Sequence, residues 1–229
     1  MKGTFYYRYN PETQDTTCAN MQEFDKAFFL KLLEGPKKQK AIKKIEKDKF
    51  EEQYYILTHY YNEPDGSIIL FGEQRYTETI NIGSFINHYK NIAIIKLDQV
   101  GKIIWSTKIG KNNSIGASIL YPDPGYSSFI TVRWEDNIFV LYNGSIENLN
   151  HQAGKPVPAF RDGAAFINAR VLNNGEYHRS VLLTKKQLGN FRIRPGLNMW
   201  SDPNTKVLFG QDPDNVKNQR FMKLRFDQD

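Results

Sequence analysis

The stretch Asn91-Ile92-Ala93-Ile94-Ile95-Lys96-Leu97-Asp98-Gln99-Val100-Gly101-Lys102-Ile103-Ile104-Trp105-Ser106-Thr107-Lys108 decides the fold class. Two runs of strand formers flank a Gln99-Val100-Gly101-Lys102 turn, which predicts an antiparallel hairpin. Just upstream, Tyr54–Tyr61 and Ser67–Glu73 flank Glu63-Pro64-Asp65-Gly66, and an Asp-Gly pair between two apolar runs is a strong hairpin signal. Residues 77–90, between the two hairpins, read as a loop. Four consecutive antiparallel strands are therefore expected between 54 and 108, the content of one propeller blade.

Working towards the C-terminus, Ser127–Trp134, Ile138–Tyr142, Ala164–Leu172 and Tyr177–Thr184 form a second four-stranded set, with turns at Glu135-Asp136-Asn137 and Asn173-Asn174-Gly175-Glu176. A third set begins at Phe191–Leu197, continues with Lys206–Gly210 and ends at Arg220–Asp227. A basic-apolar-Asp/Asn signature closes strands at Tyr7-Arg8-Tyr9-Asn10, Ile95-Lys96-Leu97-Asp98 and Leu224-Arg225-Phe226-Asp227, with a looser copy at Ala169-Arg170-Val171-Leu172-Asn173. Ile69-Leu70-Phe71-Gly72-Glu73 and Val207-Leu208-Phe209-Gly210-Gln211 form a second recurrent element. The unequal separation of the signatures (8 to 96, 96 to 170, 170 to 225) excludes an even solenoid and fits blades of about 50 residues with unequal loops.

Working towards the N-terminus, residues 4–9 and 15–20 read as strands around a Pro11-Glu12-Thr13-Gln14 turn. Phe24, Ala27, Phe28 and Leu32 recur at helical spacing, and Gly35-Pro36 reads as the stop of that helix. A polar helix follows from 37 to about 52, with Ala41, Ile42 and Ile45 as its apolar stripe. The expected fold is all-β: a β-propeller-like array of about three four-stranded antiparallel blades, forming a single domain over 1–229. It carries a helical insertion at 22–52 and blade-like units at about 53–110, 115–185 and 190–229. Such an array begins and ends in mid-blade, so a complete ring is expected to need further sequence or a partner chain.

Composition agrees with a β-rich globular chain. Of 229 residues, 14% are aromatic, and Tyr and Phe supply 28 of the 31 aromatic side chains, a bias suited to half-buried strands. The single cysteine, Cys18, excludes an intramolecular disulfide and any multi-cysteine metal site. No apolar run approaches the roughly 18 residues that span a bilayer. The opening Met-Lys-Gly-Thr-Phe-Tyr-Tyr lacks the charged and apolar regions of a signal peptide. That leaves two alternatives, a cytoplasmic protein or one whose export segment lies outside this chain.

Charge and chemistry point to no catalytic, cofactor-binding or metal-ligating residues. The net charge of +6 draws heavily on Lys37, Lys38, Lys40, Lys43, Lys44, Lys47 and Lys49. Such a face can attract phosphate backbones, but it has no interleaved aromatic residue and no arginine, so nucleic acid is not the expected partner. The plainer expectation is a solvated helix whose lysines pair with Glu46, Asp48, Glu51 and Glu52. His59, His88, His151 and His178 have no metal-ligand spacing. Asp212-Pro213-Asp214-Asn215 gathers carboxylates but lacks the Gly and distal Glu of a calcium loop, and reads as a turn. There is no nucleophile elbow, and Cys18 has no nearby His. Glu73 and Asp98 are the acids that could meet at a blade centre for glycosidase-type work. Trp105, Trp134 and Trp200 fall one to a unit, as packing residues between blades do, with a carbohydrate platform as the other reading.

The segments Asp65–Glu73, Ile92–Asp98 and Gly101–Trp105 resemble the DGGxxxxGE…IxxxKLDxxGxIxW blade unit of uncharacterised propeller-like proteins of Bacteroidetes. Tyr142-Asn143-Gly144 with Asn148-Leu149 is similar to a segment that follows in one group of them. The resemblance is specific over about 65–150. It implies a propeller-like fold and a cell-envelope setting, and supplies no catalytic residues. The expected function is a non-enzymatic binding or scaffolding module recognising a protein or glycan through blade loops. The alternative is a carbohydrate-active enzyme with carboxylates at the blade centre.

Overall fold

The computed structural model describes residues 2–33, 35–50, 54–118, 125–150, 157–160 and 164–227. Strand makes up 59% and helix 12%, so the class is mostly β, with every sheet antiparallel. The chain divides into two units: Met1–Arg75 with Asn91–Gly110, and Tyr76–Lys90 with Lys111–His151 and Val157–Asp229.

In the first unit, β1 (Gly3–Asn10) pairs with β2 (Asp15–Glu23). Two helices follow, α1 (Lys26–Leu30) and α2 (Gly35–Glu46). Asp25 caps α1 by accepting from the Phe28 N–H at 2.6 Å. The helix is a single turn, too short to sustain the expected stripe, so Phe24, Phe28 and Phe29 are buried while Ala27 is exposed. Gly35-Pro36 does not end a helix; it opens α2, where the N–H that proline lacks would have no helical partner.

The meander β3 (Tyr55–Asn62), β4 (Ile68–Asn81), β5 (Ser84–Leu97) and β6 (Ile103–Ile109) then runs in chain order. Phe24, Phe28 and Phe29 pack with Ala93, Ile95 and Leu97 of β5, and Phe24 stacks on Phe28 at 4.3 Å. The helical insertion therefore supplies half of the buried residues of this cluster. Residues 77–90 are not a loop. They form the outer parts of β4 and β5, which turn back at Gly83, where φ is +81°. Thr77, Thr79, Ile80, Phe85, Ile86 and Tyr89 are strand formers, but polar neighbours hide the alternation by which a half-buried strand is recognised.

In the second unit, Ser84–Tyr89 of β5 pairs with β7 (Asn113–Ser118). Four strands follow in an antiparallel meander: β8 (Phe129–Trp134), β9 (Asn137–Ser145), β10 (Ala164–Val171) and β11 (Tyr177–Leu183). The short helix α3 (Lys185–Leu188) starts at Thr184, which exchanges capping hydrogen bonds with Gln187. A three-stranded meander of β12 (Arg192–Asp202), β13 (Thr205–Gln211) and β14 (Gln219–Arg225) completes the unit. Ile130, Val132, Leu141 and Phe166 pack with Ile193, Leu208 and Phe226, so this core lies between the two meanders.

Three hairpin turns are built alike. Glu63–Ser67, Asp98–Lys102 and Leu172–Glu176 each close with two backbone hydrogen bonds of 2.8–3.0 Å, the first residue's N–H to the fifth residue's carbonyl and the fourth residue's N–H to the first residue's carbonyl. The fourth residue is Gly66, Gly101 or Gly175, with φ of +79°, +81° and +82°. That conformation favours glycine. An Asx bond braces each turn, from Asp65 to the Ser67 N–H, from Asp98 to the Val100 N–H and from Asn174 to the Glu176 N–H.

Candidate functional site

The sheet β12–β13–β14 has two apolar faces. Strand alternation sends Leu208, Met222, Leu224 and Ile193 into the core. On the opposite face, Met199 stands across from Val207, which stands across from Lys223, and Phe209 stands across from Phe221. Phe221 is 75% exposed and Met199 65% exposed. With Gly196, Leu197 and Asn198 these side chains line a groove of about 280 Å³. Phe209 and Phe221 meet edge-to-face at 5.6 Å, and the Arg194 guanidinium lies 5.9 Å from the Phe209 ring centre. Lys223 and Arg225 extend the same face, with Arg225 held by Asp227 at 2.7 Å. Among the described residues β14 pairs with β13 alone, so its other edge offers backbone N–H and C=O groups.

Beneath this sheet, Asn143 fixes the path of β12. Its Nδ2 donates to the carbonyls of Tyr126 at 2.8 Å and Ile193 at 2.6 Å, and its Oδ1 accepts from the Ile193 N–H at 3.3 Å. Arg194, which flanks the groove, donates to Gln211 Oε1 at 3.2 Å, and Tyr126 donates to the same oxygen at 3.1 Å. Burial pushes the Tyr126 hydroxyl pKa up.

A polar constellation stands on the outer β4–β5–β7 strands of the same unit. His88 and Ser114 are directly opposed in register, and His88 Nδ1 lies 2.9 Å from Ser114 Oγ. His88 Nε2 lies 3.2 Å from Glu78 Oε2, and the Tyr76 ring stacks on the imidazole at 4.4 Å. Lys90 Nζ donates to Ser114 Oγ at 3.0 Å and also to Asn112 Oδ1. Asn112 is itself tied to the Val157 carbonyl at 2.7 Å. Burial lowers the Lys90 pKa. These residues are 10 and 26 positions apart in sequence and form no local motif, so only the strand register could have joined them.

Glu73 is fully buried on β4 and is paired with Arg75 Nε at 2.6 Å. Asp98 spends Oδ1 on the Val100 and Lys102 N–H groups at 2.9 and 2.8 Å, so it serves its turn. The lysines of α2 face solvent or are half-buried, but their expected acidic partners are engaged elsewhere: Glu46 with Lys26 at 3.8 Å and Asp48 with Lys2 at 2.9 Å. Glu51, Glu52 and His151 lie outside the described residues. His59 lies on β3 and His178 on β11. Asp212 accepts from the Asp214 N–H at 3.0 Å within a turn. Cys18 Sγ donates to the Val100 carbonyl at 3.3 Å. Trp134 stacks on Phe226 at 5.5 Å, and Trp200 lies between Phe226 at 5.9 Å and Lys206 Nζ at 4.7 Å. Trp105 Nε1 is buried on β6.

The signal for the groove was present in Val207-Leu208-Phe209, an apolar run with no alternation, as a strand covered on both faces requires. No helix among the described residues is long and apolar enough to cross a membrane. Compared with known proteins, the chain matches no family model, no curated protein and no solved structure.

Proposed function

We propose that the chain is a propeller-like binding module whose β12–β14 face takes an extended segment of a protein partner bearing alternating apolar and acidic side chains. The single observation behind this is an apolar groove left uncovered on a sheet whose other face is core, flanked by Arg194, Lys223 and Arg225. A solvent-facing sheet normally carries polar residues on its outer side, so Phe209, Phe221, Met199 and Leu197 together signal an interaction surface. The free β14 edge gives such a segment backbone partners, as in strand-addition recognition. The cationic flank selects carboxylates. The groove's aliphatic, Met and Phe lining favours a peptide over a glycan.

The blade reading is supported by three meanders in chain order, by like-built turns in the first two and by the face-to-face packing of the last two. The cell-envelope setting rests on the resemblance of 65–150 alone. The carbohydrate-enzyme alternative loses support because Asp98 is spent on its turn and Glu73 is buried against Arg75.

Fluorescence anisotropy with a labelled ten-residue peptide alternating Leu/Val with Glu tests the proposal. The expected result is saturable binding that Phe221→Ala weakens at least about tenfold, as truncation of an aromatic anchor does. Lys223→Glu and a rise to physiological salt should each weaken it severalfold. Binding indifferent to Phe221→Ala, or preference for a Lys-containing peptide or a neutral oligosaccharide, would overturn it.

A further inference from the structure

We propose that Ser114, His88 and Glu78 form a nucleophile–base–carboxylate relay that cleaves carboxylic esters, with Lys90 as the cation beside the nucleophile. The distances suit one tautomer of the imidazole. With the proton on Nε2, His88 donates to Glu78 Oε2 at 3.2 Å, and Nδ1 faces Ser114 Oγ at 2.9 Å as the acceptor. Ser114 therefore donates towards the imidazole while its oxygen accepts from Lys90 Nζ at 3.0 Å. This is the arrangement general-base activation of a hydroxyl requires: nucleophile to base, and base to an orienting carboxylate.

The groups are held rather than merely adjacent. Ser114 and His88 are fixed opposite each other by the β5–β7 register, Tyr76 stacks on the imidazole at 4.4 Å, and Asn112 anchors Lys90. The His88 side chain is 12% exposed, which shields the base, while Ser114 is exposed and open to substrate. Among the described residues Lys90 has no carboxylate partner. Its charge is therefore directed at Ser114 and at any negative oxygen that develops there.

In the step itself, Ser114 Oγ forms a bond to the ester carbonyl carbon and its proton passes to His88 Nδ1. Collapse of the tetrahedral adduct breaks the bond to the leaving alkoxide, which takes that proton from Nδ1. Water then repeats the sequence on the acylated serine, releasing the carboxylic acid and restoring the hydroxyl. No oxidant or metal is consumed.

The test is a fluorophosphonate probe on the full chain with peptide mapping by mass spectrometry, together with p-nitrophenyl acetate hydrolysis. The expected results are an adduct on Ser114 and an esterase rate that Ser114→Ala and His88→Ala each lower at least about a hundredfold. Glu78→Gln should lower it severalfold. A wild-type protein labelled elsewhere or not at all, or a Ser114→Ala rate equal to wild type, would overturn the proposal; adduct mapping on the wild type needs no variant to fold. Peptide binding at the β12–β14 groove is measured separately, so either reading can fail alone.

Discussion

Gly101 lies against the ring of Tyr6: a Cβ added to Gly101 would stand 2.2 Å from the Tyr6 Cβ, and its φ is +81°. The β5–β6 turn and the β1–β2 hairpin therefore meet at a point where only a residue without a side chain fits. Arg8 and Asn20 secure the same junction by donating to the carbonyls of Gln99 and Val100 at 2.6 and 3.2 Å. Gly101→Ala should cost about 2–4 kcal/mol, combining left-handed backbone strain with overpacking. Gly116→Ala, where nothing stands within 4 Å and no positive φ is required, serves as the control and should be neutral. Thermal denaturation of both variants checks this, and equal losses would refute it.

Asn143 binds two backbone carbonyls and one backbone N–H in a site with no solvent access. Asn143→Leu leaves those groups buried without partners, and Asn143→Asp replaces the donor with an acceptor. Each should lower stability by about 2–4 kcal/mol. Urea unfolding would show the loss as a lower midpoint, and a change below about 0.5 kcal/mol would mean that the network is dispensable.

Tyr142 is fully buried, and among the described residues its hydroxyl has no hydrogen-bond partner. Burial pushes its pKa up from 10.0 to about 12, with the Arg179 charge opposing the shift. Because the folded value is the higher one, the stability this tyrosine supports is fully present below pH 10. It falls away as pH rises from about 10 towards 12, since only the unfolded chain then releases the proton. Alkaline melts of wild type should show this loss, on the order of 2–3 kcal/mol. Tyr142→Phe should remove that component of the slope and be neutral to slightly stabilising at pH 7, because it deletes an orphaned hydroxyl.

Leu208 and Phe221 point to opposite sides of one sheet, the first fully buried and the second 75% exposed. Leu208→Ala should cost about 2–5 kcal/mol and Phe221→Ala less than about 1. Comparable losses would mean that both faces are covered in solution by the chain itself.

The strand-and-turn architecture was legible where turn chemistry is explicit. Pro64-Asp65-Gly66 and Asn173-Asn174-Gly175 mark their hairpins, and the runs beside them are strands. The outer parts of β4 and β5 were illegible because strands without a buried face carry no alternation, so Thr77–Lys90 reads as a loop. The single-turn α1 misled in the opposite sense: Ala27 occupies a helical-stripe position, yet Phe29 is the residue that is buried. Acidic partners for the α2 lysines were assigned by proximity along the chain, whereas Asp48 pairs with Lys2, 46 positions away. The groove left a local trace in the unalternating Val207-Leu208-Phe209 run, whereas the Ser114–His88–Glu78 set depends on cross-strand register, which no local pattern encodes.

The three like-built turns imply that parts of this chain are portable. All the hydrogen bonds that close Glu63–Ser67, Asp98–Lys102 and Leu172–Glu176 lie within five residues, so each turn carries its own geometry wherever it is spliced. Exchanging the 63–67 and 172–176 cassettes should leave strand pairing intact. The 98–102 cassette resists replacement most, because Tyr6, Arg8, Cys18 and Asn20 are fitted to its outer surface.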